Sequence, residues 1–218
     1  MFSFQEIPAF CTALGQRAAA QFDLFEKEVI RARKRTPIQA PQGIRIGREI
    51  DKGGALYSTR SYDNGEVVFA FRGSVKRIED ATPLALQVGE NLFLEAEQND
   101  PFRFDEFTNH SCNPNGVVGF RSGRPYFVAG RDIADGEELT FNYNTTEYDM
   151  FEQEEVMKAP CVFKCNCKTS HCLGRIMGFR YLSIEQKLTL RAHLSPYLAE
   201  KLKAELNSLR VVPLNFEP

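Results

Sequence analysis

At 218 residues, with 43% hydrophobic, 11% aromatic and 26% charged side chains, the chain is long enough for one cored domain plus extensions, and its composition excludes the disordered, collagen-like and fibrous classes. Its 27 basic residues against 29 acidic ones give a formal charge of -2, so the whole-chain basicity of sequence-independent nucleic-acid binders is absent and direct nucleic-acid binding is not expected. No run reaches the roughly 18 apolar residues of a membrane span, and MFSFQEIPAF lacks the basic and apolar blocks of a secretory signal, so the expectation is an intracellular protein of nucleus or cytoplasm.

In chain order, residues 1–35 predict a helical extension, with Phe22, Phe25, Val29 and Ile30 at helical spacing and the cationic RARKR run from Arg31 to Arg35 at its end. Residues 36–43, TPIQAPQG, read as a linker. From 44 to 160 the pattern changes to short β-branched and aromatic runs (IRIGREI, ALYSTRSY, EVVFAF, LALQV, NLFLEA, GVVGF, PYFVAG, ELTFNY) punctuated by DNG, SGR and ADGEE, which predicts a β-rich domain. Residues 161–182 carry a cysteine segment. Residues 183–218 hold two amphipathic stretches separated at Pro196, read as helices. The expected class is a β-rich α+β fold with helical N- and C-terminal extensions.

Two segments depart from the strand pattern. FTNHSCNPNG, from Phe107 to Gly116, is densely polar between apolar runs, so it is either a buried hydrogen-bonded network or a site. DGEELTFNYN, from Asp135 to Asn144, ends in a strand-like run that presents Phe141 and Tyr143 on one face. In KCNCKTSHC, the thiols of Cys165, Cys167 and Cys172 have close-set ligand spacing, and three thiolates leave a tetrahedral structural Zn²⁺ one ligand short.

NHSCNPN, then GEELTFNY, then a C-x-C-x4-C element occur in that order, and in this the chain resembles the SET-domain family of protein-lysine methyltransferases with a zinc post-SET segment. The resemblance runs from Ile44 to Leu182. It implies a SET fold of small β-sheets with a knot-like crossing of the NHSC and ELTFNY segments. It also implies S-adenosylmethionine as cofactor, with Asn109 and His110 holding its methionine and adenine ends and DKGGALYS supplying Lys52, Gly53 and Gly54. The family's second glycine falls here on Ala55, and a Gly-Gly pair alone reads equally as a hairpin turn. Tyr143 matches the catalytic tyrosine, which also borders the cofactor, and Phe141 the phenylalanine/tyrosine switch; core packing is the alternative for both. Cys112 matches the family's fourth zinc ligand, with His171 as its rival and Cys161 as a spare; Cys11 and Cys161 otherwise read as small buried hydrophobes. Glu106 stands where many members carry an arginine, so a salt bridge at that position is expected to be lost.

The chemistry asks for a site that favours a neutral amine. A lysine with pKa near 10.4 is neutral in about one molecule in 2,500 at pH 7, and only that form has a lone pair for a sulfonium methyl. Aromatic walls that desolvate the amine lower its pKa. The acidic runs EAEQNDPFRFDE and EYDMFEQEE flank the motifs and are expected to attract a cationic peptide. The expected function is methylation of a protein lysine side chain; the alternatives are a small amine or free amino acid as substrate, or a catalytically silent peptide-binding fold.

Overall fold

The structure is a computed structural model that describes residues 38–49 and 53–210. The N-terminal helix expectation, Cys11 and Lys52 lie outside the described residues.

Alternating burial explains the strands. β1 (Ile44–Glu49) and β2 (Gly53–Ser58) form an antiparallel pair in which Ile46 faces Leu56. β3 (Val67–Ala70) opens a segment that continues into β4 (Ser74–Arg77), β5 (Leu86–Gly89) and β6 (Leu92–Glu95). The last three make one antiparallel sheet with β6 in the centre. A two-residue strand, β7 (Asn109–His110), precedes the hairpin of β8 (Gly116–Arg121) and β9 (Arg124–Ala129). In β9 every second side chain is buried, Phe127 completely, and β3 adds to its far side. Phe127 stacks on Phe69 at 5.0 Å, and Phe104 meets Phe69 edge-on at 5.2 Å, so these rings fill the main core with Leu56, Ile133 and Leu139. Gly116 is required there, because a methyl group would overlap the Phe127 ring.

β10 (Thr140–Phe141) lies parallel to β7, pairing Thr140 with Asn109 and Phe141 with His110. The two motif segments are therefore neighbours in space although about 30 residues separate them. After a turn of 3-10 helix at Tyr143–Thr145 comes α1 (Met150–Met157), whose first six residues belong to the run read from sequence only as acidic. Asp149 caps it, accepting from the N–H groups of Phe151 and Glu152, and Lys158 ends it at φ +54°. β11 (Phe163–Lys164) and β12 (Arg175–Ile176) then pair antiparallel around the cysteines.

The C-terminal stretches form α2 (Ile184–Leu190), opened by a Ser183/Gln186 capping box, and α3 (Pro196–Arg210), opened by the proline. Leu198 and Leu202 pack on Phe179, and the Ser195 N–H donates to the Thr145 carbonyl at 2.8 Å. The start of α3 is thus docked against the turn that follows Tyr143. Among the described residues, no helix is long and apolar enough to cross a membrane.

Candidate active site and cysteine cluster

The densely polar Phe107–Gly116 segment is both a network and a site. Ser111 N–H donates to the Phe141 carbonyl at 3.0 Å. Buried Asn115 donates from Nδ2 to the Glu138 carbonyl at 2.8 Å and accepts the Thr140 N–H on Oδ1 at 3.0 Å. One amide side chain therefore satisfies both polarities of the facing backbone, as burial demands. Asn109 donates both amide hydrogens, to the Gly54 carbonyl and to Glu138 Oε1, each at 3.0 Å. Because both partners are acceptors, its orientation is fixed and Oδ1 is presented as an acceptor. Such an acceptor fits the ammonium end of an amino-acid-bearing cofactor.

Tyr143 is held at both ends. Its N–H donates to His110 Nδ1 at 3.1 Å and its hydroxyl donates to the Thr108 carbonyl at 2.8 Å. Burial, reinforced by the nearby carboxylates of Glu147 and Glu138, pushes the phenol above its ordinary value of 10.0, so it stays protonated at physiological pH. Phe141 lies 4.9 Å from its ring and 6.1 Å from Phe71. On the other side Phe163, from β11, stands 5.9 Å from Tyr143 and 5.8 Å from His110. Sequence reasoning missed Phe163; its one signal was a strand-like VFK directly before Cys165. It also missed Thr108, since a backbone carbonyl leaves no mark on residue type.

The four sulfurs of Cys112, Cys165, Cys167 and Cys172 lie within 4.8 Å of one another, and Cys112 to Cys165 is 3.9 Å. A tetrahedron of thiolates at the Zn–S length of about 2.3 Å has edges of about 3.8 Å, so the donor set fits one zinc ion. Burial pushes the Cys112 thiol up to about 11 and Cys165 further, whereas Cys167, also pushed up by burial, is drawn down to about 6 by the Thr169 hydroxyl and nearby backbone N–H groups. The N–H groups of Leu173 and Gly174 point at the sulfurs of Cys112 and Cys172, both at 3.4 Å. A divalent cation at the centre would favour thiolate at all four.

The other residues singled out from the sequence fall as follows. His171 is exposed, bonded to Ser170 and apart from the sulfurs. Cys161 is a buried thiol beside Met157, pushed up to about 12 by burial, and stands outside the cluster. Gly54 is needed because a methyl group there would overlap the Phe107 ring, an intramolecular reason for the glycine. Gly53 has φ +79°, which favours glycine on conformation alone. The expected loss of a salt bridge at Glu106 does not occur: its buried carboxylate pairs with Arg103 at 3.7 Å. The acidic runs are only partly solvated, with Glu97, Glu152 and Glu155 exposed and the others engaged internally. Glu95 pairs with Lys76 and Thr82, Glu154 accepts the N–H groups of Cys161 and Val162, Asp149 caps α1 and binds Arg180, and Glu147 is buried among Gln87, Thr146 and Gln153. Glu97, Glu152 and Glu155 remain at the surface to face a cationic peptide.

Compared with known proteins, residues 42–144 match the family model of the SET domain. That stretch contains both motif segments, NHSC and LTFNY. A histone-lysine N-methyltransferase described as H3 lysine-36 specific, from Mycosarcoma maydis, is 31% identical over 141 residues, which cover 62% of this chain and 13% of that protein. Methyltransferase flvH of Aspergillus flavus is 31% identical over 97 residues, 44% of this chain and 49% of that one. Among solved structures, the crystal structure of KRYPTONITE in complex with mCHG DNA and SAH aligns at a TM-score of 0.48 and 25% identity, over 61% of this chain and 28% of that chain. The chain thus aligns with less than half the length of each of these proteins.

Proposed function

We propose that this protein transfers a methyl group from S-adenosylmethionine to the side-chain amine of a lysine in a protein. The reading is carried by Tyr143, whose hydroxyl is tied to the Thr108 carbonyl while its ring is flanked by Phe141 and Phe163, two residues beyond the strand that pairs with Asn109. The cofactor supplies an electrophilic sulfonium methyl. Asn109 Oδ1 would accept its ammonium, and the backbone at Gly53 and Gly54 would run beside it.

The Tyr143 proton goes to Thr108, so the phenol oxygen keeps lone pairs to accept an N–H of the incoming amine and aim its own lone pair. A phenol held protonated by burial is no general base, so the amine must arrive neutral, and desolvation between aromatic rings favours that form. Phe141 offers no hydroxyl to hold a water where a further methyl would go, which supports di- or trimethylation. Cys112, Cys165, Cys167 and Cys172 would hold a structural Zn²⁺ that ties the C-terminal segment to the NHSC loop. The relatives described as H3 lysine-36 specific make histone H3 the first substrate to try, and a histone substrate would place the protein in the nucleus.

The test is methylation with radiolabelled cofactor on histone H3, cell lysate and free lysine. Label in protein supports the reading. Label only in free lysine would transfer it to a small-amine enzyme, and cofactor binding without label anywhere would leave a silent peptide-binding fold. Mass spectrometry should find more than one methyl per lysine, and Phe141→Tyr should shift the product toward monomethyl.

A further inference from the structure

His110 stands between the cysteine cluster and Tyr143, with both ring nitrogens engaged. Its Nδ1 faces the N–H of Tyr143 at 3.1 Å, and its Nε2 lies 3.3 Å from the sulfur of Cys112. A backbone N–H can only donate, so Nδ1 must accept, and the neutral ring then carries its hydrogen on Nε2. That hydrogen points at Cys112. The ring is buried and packed edge-on against Tyr143 at 5.4 Å and Phe163 at 5.8 Å, so it has little room to turn.

We propose that His110 is a positioning residue that links the metal-binding sulfur of Cys112 to the backbone of Tyr143, so that loading the cluster sets the placement of the tyrosine. The inference rests on the reading of Tyr143 and the four cysteines given above. A thiolate is a far better acceptor than a thiol, so metal loading strengthens the Nε2–H to sulfur bond and fixes the ring. The fixed ring presents Nδ1 to the Tyr143 N–H, and Tyr143, pinned at the other end by Thr108, holds its hydroxyl in one place. The arrangement resembles the outer-shell hydrogen bonds that orient metal ligands, with the difference that the far end reaches a reacting-site residue. The side chain of His110 is therefore committed within the protein, and any contact it makes with cofactor falls to its backbone.

Two substitutions separate the ends of the link. In His110→Asn the side-chain oxygen sits near Nδ1 and can accept the Tyr143 N–H, while nothing reaches Cys112. In His110→Gln the amide nitrogen extends to the Nε2 position and can donate to the sulfur, while the Tyr143 N–H loses its acceptor. Zinc affinity by chelator competition, the thiolate-to-metal charge-transfer band of the cobalt-substituted protein, and kcat against KM under zinc saturation are measured on both. The expected pattern is a reversed order. Asn loses about 10- to 100-fold in zinc affinity and shifts the cobalt band more than Gln does. Gln loses more in kcat than Asn, with KM for cofactor changed less than kcat. If one variant fails to fold, the other decides alone, because each is expected to move one readout more than the other relative to wild type. Equal losses in all readouts, or an unmoved cobalt band in Asn, would overturn the link and leave His110 a packing residue. Wild-type protein that binds no zinc or transfers no methyl would instead overturn the reading on which the inference rests.

Discussion

The β7/β10 crossing and the cysteine segment meet at Cys112 but are held together by different physics. At the crossing, Asn115, Asn109, Ser111 and the parallel strand pair bond backbone to backbone and side chain to backbone, in a buried layer continuous with the main aromatic core. The cysteine segment has two-residue strands, further backbone bonds from Cys165 N–H to the Gly174 carbonyl and from Cys172 N–H to the Thr169 carbonyl, and a small apolar cluster in which the sulfurs themselves are prominent. The first region is specified by hydrogen bonds that exist whenever the chain is folded. The second buries little apolar surface, and a metal ion held by the four thiolates would be its strongest tie.

Metal removal should therefore separate the two regions most sharply. Structural zinc binding amounts to about 10–16 kcal/mol in small domains, so a strong chelator should abolish amide protection through the segment around Cys165 and Cys172 while the Ser111 and Thr140 amides stay protected. Simultaneous loss of protection in both would show that the crossing, too, depends on the metal. The converse break is Asn115→Ala, which strands the Thr140 N–H and the Glu138 carbonyl and should cost about 2–5 kcal/mol in urea denaturation. A loss below about 0.5 kcal/mol would mean that water replaces the amide and the crossing is looser than its bonds suggest.

Tyr143→Phe sharpens the contrast between holding the fold and doing the chemistry. Turnover should fall about 10²-fold, near 3 kcal/mol, with cofactor affinity almost unchanged, because the hydroxyl acts on the amine. Wild-type turnover would place the orienting group elsewhere. The smallest effect concerns Glu147, which burial raises from 4.5 to about 7 against the pull of Gln87, Gln153 and Thr146. A carboxyl with a raised folded-state pKa binds more protons folded than unfolded, so the stability it contributes is complete below about pH 4.5 and is lost as pH rises through about 7. Wild type should lose about 2 kcal/mol from this group between about pH 5 and pH 8, and Glu147→Gln should flatten that slope. Parallel slopes in the two proteins would show that the carboxyl titrates normally.

The readable part of the site was the part that lies in continuous motifs. NHSC and LTFNY announced polar and aromatic side chains at fixed spacing, and the three close-set cysteines announced a metal donor set. Phe163 and Thr108 were not readable, one because a single aromatic in a strand-like run has core packing as its ordinary meaning, the other because its contribution is a carbonyl. α1 went unread because only Met150 and Gln153 of its residues are buried, too few for a periodic signal. The acidic runs were legible only in part for a related reason: composition counts charges but does not say that Glu95, Glu147 and Asp149 each have an internal partner.

By itself the sequence determined most element types and the chemical inventory: strands by alternation, the α3 start by Pro196, a metal donor set by thiol spacing and an aromatic face by Phe141 and Tyr143. Tertiary structure alone decided which distant groups meet. Cys112 completes the cluster across 53 residues, Asn115 clamps a strand 25 residues away, and His110 comes to face Cys112 and Tyr143 at once. Local preference fixes a residue's conformation within a few neighbours, but the partner of a buried polar group is chosen by the packing of the whole core, which must satisfy every donor and acceptor it removes from water.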